Sequence, residues 1–437
     1  MGGLKRNPWL FGLGALLAVL VVFGGYARAD VTTDQAGSII IFPKVISDGT
    51  RDTVISISNI RNMPTVAHCI YNNSPSGVCS VTTTTSCRFD EDCPGTETCN
   101  LTTPGTCSTT STLGCVADVQ CPASETCVHQ CVEHDFDIFL TGQQPTMWDV
   151  FFGRQQDPSD GFPGLDPGGI GGQSDFVGEL ICYVTDADGN PLMQNSLTGQ
   201  ATIYRFGGGP GADLSEYNGV TVFAKGTPAG NLDLNDTEYN ACPDHLIVNH
   251  RADFDLDRFT SAGIISELTL VPCTLDFESQ ITPPARALFN VTNEFETPVG
   301  SASVSVGCFF NRQLSEIDAP TDPPASIFSL GTIGSDFAKT RVTTPTGKVC
   351  YTGTNRLGSC TSDSDCPGAT TIGCRPFPGL IGVLEEFDIS PLTPAPIRQP
   401  SIFDFVGTAA ANVHQEGTRG AVGGDVIVTP SLNTSGQ

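Results

Sequence analysis

The sequence predicts an all-β protein of two antiparallel, Ig-like β-sandwich domains that carry small disulfide-rich insertions. Of its 437 residues, 48 are Gly and 31 are Pro, a density of helix breakers that argues against an all-α fold. Short apolar or alternating segments follow one another with turn residues between them, which is typical of antiparallel sheets. Twelve of the 18 cysteines recur in three spaced groups, which predict small modules inserted into this framework.

The N-terminus has the three parts of a cleavable signal peptide at residues 1–29. Lys5 and Arg6 form a basic region, residues 9–23 are mainly apolar and carry no charge, and residues 27–29 (Ala-Arg-Ala) form a cleavage motif. A membrane anchor is the alternative, but this stretch is shorter than the roughly 20 residues that cross a bilayer. We therefore expect a secreted or cell-surface protein with no membrane span after signal cleavage.

The mature chain predicts a succession of short strands. In residues 52–59, Ile55 and Ile57 alternate with serines, which is the period of a half-buried strand. The tripeptide Asp-Gly-Asn at residues 188–190 lies between two apolar runs and predicts a hairpin turn. The other predicted strands are 66–71, 135–140, 176–185, 198–206, 219–224, 245–248, 267–271, 287–293, 301–310, 382–387 and 425–429.

We expect two sandwich domains, at residues 30–225 and 226–437, because the mature chain is longer than one hydrophobic core usually supports. A single large two-sheet body is the competing interpretation. A weak internal repeat accompanies this division: residues 54–59 lead through a turn to 66–71, and residues 288–293 lead through a turn to 304–310. In both places a strand that ends in Asn precedes a strand that carries Cys and an aromatic residue.

The cysteine spacing is the most specific signal in the chain. The first two modules share the pattern C-x7-C-x5-C-x5-C, and the third has C-x9-C-x5-C-x7-C. Zinc is the alternative, but structural zinc sites use closer cysteine pairs and reduced thiolates, whereas an exported chain meets an oxidising environment. We therefore predict disulfides; of the three connectivities that four cysteines allow, we favour first to third and second to fourth. The three sets are Cys79, Cys87, Cys93 and Cys99; Cys107, Cys115, Cys121 and Cys127; and Cys350, Cys360, Cys366 and Cys374.

The modules lie between predicted strands, so we expect them at hairpin tips, as a double insertion at residues 79–131 and a single one at 350–374. They have few apolar side chains of their own, and cross-linking would stabilise them by restricting the unfolded chain. The six cysteines outside the modules are expected to form three disulfides in the body and leave no free thiol: Cys69–Cys131, Cys242–Cys273 and Cys182–Cys308.

The run from Cys87 to Cys99 has the pattern C-x2-D-x-D-C-P-x4-C, with acids at Asp90 and Asp92 and a Cys-Pro step at Cys93. This element resembles the first part of the Dickkopf N-terminal cysteine-rich domain and is similar to the central stretch of whey-acidic-protein-type inhibitor modules. Residues 360–374 repeat it with a longer last gap. The sequence lacks the further cysteines that complete either family, so receptor antagonism and protease inhibition are not implied. The rest of the chain resembles uncharacterised exported bacterial β-rich proteins, a resemblance that implies no activity.

The formal net charge of −26 argues against a nucleic-acid-binding surface spread over the whole protein. The sequence contains no nucleophile-elbow, zinc-protease or phosphate-loop motif. A weak calcium candidate is the alternating trio Asp253, Asp255 and Asp257, which would put three carboxylates on one side of an extended segment. A solvated loop is the alternative there, and we expect no other cofactor.

These features favour a non-catalytic secreted or cell-surface protein in a structural or protein-binding role, which presents its disulfide-stapled modules to an unidentified protein or surface ligand. The alternative is a secreted hydrolase with its active site in the Gly-rich loops at residues 157–173 and 207–211. Long loops of this kind often carry function, but they also serve as plain connectors. No catalytic residue stands out from the sequence.

Overall fold

In the computed structural model, residues 31–416 are described apart from 34, 50, 89–92, 94–96, 103–104, 108–113, 116–119, 123–126, 130, 154–175, 206–213, 226–233, 235–237, 244, 254–262, 274–284, 321, 352–354, 356–357, 369–372, 390–404 and 413. The predicted signal peptide, the predicted strand at residues 425–429 and both Gly-rich loops therefore lie outside the described residues.

The strands of the first half cover most of the predicted ones and add others between them. In chain order they are β1 (Val31–Thr32), β2 (Ile39–Ser47), β3 (Arg51–Asn59), β4 (Thr65–Asn73), β5 (Gly77–Cys79), β6 (Ser86–Cys87), β7 (Cys99–Leu101), β8 (Gly105–Cys107), β9 (Gly114–Cys115), β10 (Cys127–His129), β11 (Val132–Leu140), β12 (Pro145–Asp149), β13 (Phe176–Thr185), β14 (Leu197–Arg205), β15 (Leu214–Asn218) and β16 (Val220–Val222).

The second half continues in the same way and also contains short helical turns. Its strands are β17 (His245–Arg251), β18 (Gly263–Cys273), β19 (Ala285–Asn293), β20 (Pro298–Val306), β21 (Phe310–Gln313), β22 (Phe337–Thr343), β23 (Lys348–Cys350), β24 (Ser359–Cys360), β25 (Cys374–Pro376), β26 (Gly379–Ile389), β27 (Phe405–Asn412) and β28 (His414–Glu416). Helix α1 (Leu330–Ile333) and three 3-10 turns complete it, the turns being Leu314–Glu316, Pro323–Ala325 and Asp363–Asp365.

Each half builds two facing antiparallel sheets, which confirms the predicted all-β class. In the first half the sheets have the strand orders β1-β16-β2-β13-β4-β11 and β12-β3-β14-β15. In the second half they are β20-β19-β22-β17-β28 and β21-β18-β26-β27. Inward-facing positions such as Ile55 and Ile57 are fully buried, whereas the alternate residues of the same strand are partly exposed. This is the period of two that the sequence shows at that strand.

The two halves have the same topology. The order β16-β2-β13-β4-β11 corresponds, strand for strand along the chain, to β28-β17-β22-β19-β20, and β12-β3-β14-β15 corresponds to β21-β18-β26-β27. The internal repeat noted in the sequence paired β3 with β19 and β4 with the region of β20, which is wrong by one strand. In the fold β3 corresponds to β18, and β4 to β19. The predicted strand at 301–310 is also two strands, β20 and β21, which lie in different sheets.

The cysteine modules occupy different connections of this repeat. The double module joins β4 to β11, which pair directly as antiparallel neighbours, so the hairpin-tip prediction is confirmed there. The third module joins β22 to β26, which lie in opposite sheets, so the same prediction is wrong for it. The physical reason is that β22 is flanked by β17 and β19, which leaves no place for β26 beside it.

The sandwiches share one hydrophobic interface around β2. Every residue of β2 is buried, although the strand contains both Pro43 and Lys44. Phe309 and Ile381 of the second half belong to the same buried apolar cluster as the first sandwich. The Lys44 ammonium forms ion pairs with Glu267 on β18 and Glu385 on β26, both from the second half. Because both faces of β2 are covered, its sequence lacks alternation, and sequence analysis missed it.

Candidate functional site

Each cysteine module forms a three-stranded sheet with its first strand in the middle. The strand orders are β6-β5-β7, β9-β8-β10 and β24-β23-β25. In every module the first cysteine lies directly opposite the fourth across the sheet: Cys79 opposite Cys99, Cys107 opposite Cys127 and Cys350 opposite Cys374. The third module keeps this register despite its longer spacings, so its extra residues lie in the connections and not in the paired strands.

The predicted crossed pairing of the modules is confirmed. First-to-third disulfides have Cα–Cα distances of 5.5 Å in all three modules. Second-to-fourth disulfides span 5.7, 5.8 and 5.8 Å. The cysteine sulfurs of each module lie close enough together to suggest a metal site, but every one of them is bonded to another sulfur. A thiolate zinc site is therefore excluded in the modules as they stand.

The modules are held mainly by their cysteines. In the first module the buried cluster consists of Cys79, Cys87 and Cys93, with Cys99 packed against it. In the third module it consists of the four cysteines, beside a small apolar cluster of Val349 and Tyr351. The first module is also fixed to the body through the buried Arg88, whose Nη1 donates to the carbonyl oxygen and the hydroxyl of Ser74 just after β4. The modules are therefore cross-linked units whose contact with the sandwich core is small.

The acidic pair of the third module has a structural role. Asp363 Oδ1 accepts the backbone N–H of Cys374 at 2.7 Å. Asp365 Oδ2 accepts the N–H groups of Thr361 and Ser362 at 2.8 and 3.1 Å, and these bonds lower the pKa of Asp365. Both carboxylates hold the turn between the second and fourth cysteines. The corresponding Asp90 and Asp92 of the first module lie outside the described residues.

The body disulfides differ from two of the three predicted pairs. Cys242–Cys273 is confirmed. Cys69 bonds to Cys182 instead of Cys131, because the two residues lie opposite each other on β4 and β13, with a Cα–Cα distance of 4.0 Å. Cys131, at the start of β11, reaches Cys308 between β20 and β21 and links the two halves covalently. All 18 cysteines are paired, so the prediction of no free thiol is confirmed.

The structure does not bring the predicted calcium trio together within the described residues. Asp253 is fully buried, and its two carboxylate oxygens accept the backbone N–H groups of Ser266 and Ser315, each at 2.8 Å. Burial raises the pKa of Asp253 to about 7. This carboxyl group ties β18 to the turn after β21. Asp255 and Asp257 lie outside the described residues.

A second acidic group, which the sequence did not reveal, lies at one end of the first sandwich. Asp52 on β3, Asp149 at the end of β12 and Tyr204 on β14 converge there. The Tyr204 hydroxyl donates to Asp149 Oδ2 at 2.5 Å and lies 3.4 Å from Asp52 Oδ2. Asp149 Oδ1 accepts the backbone N–H groups of Phe151 and Phe152. The three side chains lie far apart in the sequence and have no characteristic spacing, so only the strand register brings them together.

The two carboxyl groups have opposite pKa shifts. Burial, followed by the hydrogen bond and charge of Asp149, raises the pKa of Asp52 to about 8. Burial alone would raise the pKa of Asp149, but hydrogen bonds from Asp52, Tyr204 and two amides outweigh it, and the pKa of Asp149 is lowered. At neutral pH the pair therefore carries a single negative charge, with the proton on Asp52.

No family model, curated protein or solved structure matches this chain. Among the residues that the structure describes, no helix is long and apolar enough to cross a membrane.

Proposed function

We propose that this chain is a non-catalytic secreted or cell-surface protein that presents its three disulfide-stapled modules to a protein or surface ligand. The observation that supports this proposal most is the recurrence of one module design. Three copies have the same strand order, cysteine register and disulfide pairing, although the third is inserted at a different connection of the body from the first two. A unit repeated in this way on unrelated loops is typical of a displayed element.

The body supports such a role because it is rigid and cross-linked. Three disulfides join strands or halves of the body, and a continuous buried cluster connects the two sandwiches. Nine disulfides in one chain are typical of an oxidising compartment, which supports the proposed export. Stapled modules on such a body resist proteolysis and hold their surfaces in fixed positions.

Deletion of the double module tests the binding role. In one variant a short Gly/Ser linker replaces residues 79–127 and Cys131 is kept, so the bridge to Cys308 still forms. The variant is expected to fold with a melting temperature near that of the parent, since each doubling of loop length raises the free energy of loop closure by only about 0.6 kcal/mol. Labelled full-length protein should bind intact cells of the source organism saturably, and the variant should bind far less.

The matched control replaces the exposed turn at residues 187–190 with a Gly/Ser linker and leaves all modules in place. It should bind cells like the parent. Equal binding by the module-deletion variant, or an unfolded body, would contradict the proposal. Turnover of any ester, glycoside or peptide in a panel of exported-hydrolase substrates would instead support the hydrolase alternative.

A further inference from the structure

The outer face of the sheet β20-β19-β22-β17 carries positive charge, although the formal net charge of the chain is −26. In β17, β19 and β22 every second residue is buried, and the residues between them face outward. The outward residues include four cations: Arg251, Arg286, Lys339 and Arg341. The four strands contain no Asp or Glu. Because acidic side chains outnumber basic ones 47 to 21 in the chain, this face differs sharply from the average surface and attracts anionic partners.

Three of the four cations form a regular row, which we call the basic row. Arg251 on β17 lies directly opposite Phe337 on β22, and its guanidinium lies 5.5 Å from the centroid of that ring. Lys339 and Arg341 occupy the next two outward positions of β22. Alternate residues of a strand lie about 7 Å apart, so the row presents one positive charge at each step of about 7 Å.

The charges of the basic row are not compensated within the described part of the chain. Among the residues that the structure describes, no carboxylate forms an ion pair with Arg251, Lys339 or Arg341. Glu386 lies beside one end of the row, where its carboxylate accepts the backbone N–H of Arg251 at 2.7 Å. Lys339 and Arg341 lie farther along the row, and both are exposed. These cations are therefore available to an anionic partner.

The first half has an acidic row with the same spacing on β11, the strand that corresponds to β20. Glu133, Asp135 and Asp137 occupy alternate positions of β11 and are exposed. Asp137 also contacts His68 Nδ1 at 2.8 Å. Burial and the charge of Asp135 raise the pKa of Glu133, so the carboxylates of this acidic row repel one another. A cationic partner with the same spacing would remove this repulsion.

We propose that the basic row of one copy of this chain binds the acidic row of a second copy, so that the protein associates head to tail. Each row has three charges at steps of about 7 Å, so one docking register places every cation opposite a carboxylate. A second copy is favoured over an external polyanion because this chain itself supplies the complementary charges at the matching spacing. Contacts between two different faces generate rings or open chains. The proposal uses no residue of the modules and is independent of their proposed role.

Sedimentation velocity of the full chain over a range of protein concentrations tests this association. The net negative charge of both copies opposes it, but at about 0.1 M ionic strength charges more than about 10 Å apart are largely screened, whereas contacting pairs remain effective. We expect the parent to sediment faster as its concentration rises under these conditions. At about 1 M salt, where the screening length is about 3 Å, the association should weaken at least about tenfold.

Two variants test the two rows separately. The basic-row variant combines Lys339→Gln with Arg341→Gln, and the acidic-row variant combines Glu133→Gln with Asp135→Asn. Each variant alone should self-associate at least about tenfold more weakly than the parent, because one row has lost two of its charges. An equimolar mixture should form a one-to-one complex, because the intact acidic row of the first variant binds the intact basic row of the second.

The matched control combines Arg61→Gln with Lys225→Gln, which removes two exposed positive charges outside both rows. This variant should associate like the parent. A parent that stays monomeric at every concentration, or a mixture that associates no better than each variant alone, would overturn the proposal. If the parent stays monomeric but binds heparin, and the basic-row variant does not, the basic row serves an external polyanion and the proposal is wrong.

Discussion

Lys44 is the most deeply buried cation of the described chain. Its side chain is fully excluded from solvent, and its partners Glu267 and Glu385 have side-chain exposures of 22% and 2%. Burial disfavours the ammonium ion, but the charges of the two glutamates outweigh this effect and raise the pKa of Lys44. Lys44 therefore compensates the negative charges of both glutamates, and the interface between the halves depends on all three residues.

Lys44→Met should lower the free energy of unfolding by about 3–5 kcal/mol, because it removes the ion-pair partner of the buried Glu385 and the partly buried Glu267 and leaves only the charge of Arg51 to compensate them. The control is the triple variant with Glu267→Gln and Glu385→Gln added, which removes the unpaired charges and should recover most of the loss. Urea unfolding of both variants measures the difference. A single variant as stable as the parent would show that water reaches the glutamates.

At the scale of residues, sequence analysis identified cysteines well and carboxylates poorly. Cysteine pairing inside the modules follows from local spacing, so it was predictable. The body pairs depend on which strands become neighbours, and Cys69 meets Cys182 only because β4 pairs with β13. Asp52 and Asp149 likewise come together through strand register, which a single sequence does not disclose.

The elements differ in how far they depend on cross-links. The third module is buried only around its four cysteines and a small cluster of Val349 and Tyr351, whereas β4 and β13 lie in a large apolar core. Losing a disulfide should therefore unfold the module locally. In the sandwich it should lower the free energy of unfolding only by the amount that the disulfide contributes through restricting the unfolded chain.

Cys350→Ser together with Cys366→Ser should make trypsin cleave after Lys348, which lies in the central strand of the module, much faster than in the parent, with little change in the melting temperature of the body. Cys69→Ala together with Cys182→Ala is the contrasting pair, and it should lower the global free energy of unfolding by about 2–5 kcal/mol. Cleavage sites followed by mass spectrometry separate the two behaviours. A large global loss from the module pair would mean that the module supports the core.

Strand β3, whose alternate residues are partly exposed, and the apolar run of β13 were predictable from the sequence, whereas the interrupted run of β2 was not. Alternation revealed β3, and the apolar run at residues 176–185 matched β13 to the residue. In β2 the Pro43-Lys44 step interrupts an otherwise apolar segment, and its charge is compensated only by residues of the other half. Local composition therefore argued against the strand that contacts both sandwiches.

For the molecule as a whole, buried ionisable groups determine the pH dependence of stability. Burial raises the pKa values of Asp52 and Glu179 to about 8 and of Asp253 to about 7. Burial lowers the pKa of His250 to about 4. At a pH between the ordinary pKa of each group and its shifted pKa, the folded and unfolded chains differ in protonation. The folded chain then holds up to three carboxyl protons that the unfolded chain has lost, and it lacks one imidazolium proton that the unfolded chain holds.

The free energy of unfolding should therefore fall as the pH rises from 5 to 8, because the folded state binds more protons than the unfolded state. The decline should be shallower below about pH 6.5, where His250 acts in the opposite direction, and steeper above it. Groups with lowered pKa values, such as Asp149 and Asp365, change charge only below about pH 4. Melting temperatures in chelator-containing buffers from pH 5 to 9 measure the trend, and Glu179→Gln should flatten it; a rise in stability over this range would contradict the assignment.

The disulfides that connect distant parts of the body also determine how the chain would respond to a pulling force. The loop closed by Cys69–Cys182 and the loop closed by Cys131–Cys308 overlap along the chain. Tension applied between the two ends would pass from Cys69 to Cys182 through the first disulfide, and from Cys131 to Cys308 through the second. Between the two disulfides the tension would follow the chain backwards, from residue 182 to residue 131. Strands β14 to β20 and the double module would then lie outside the load-bearing path. The double module would therefore keep its shape under tension, because the two bridges carry the load around it.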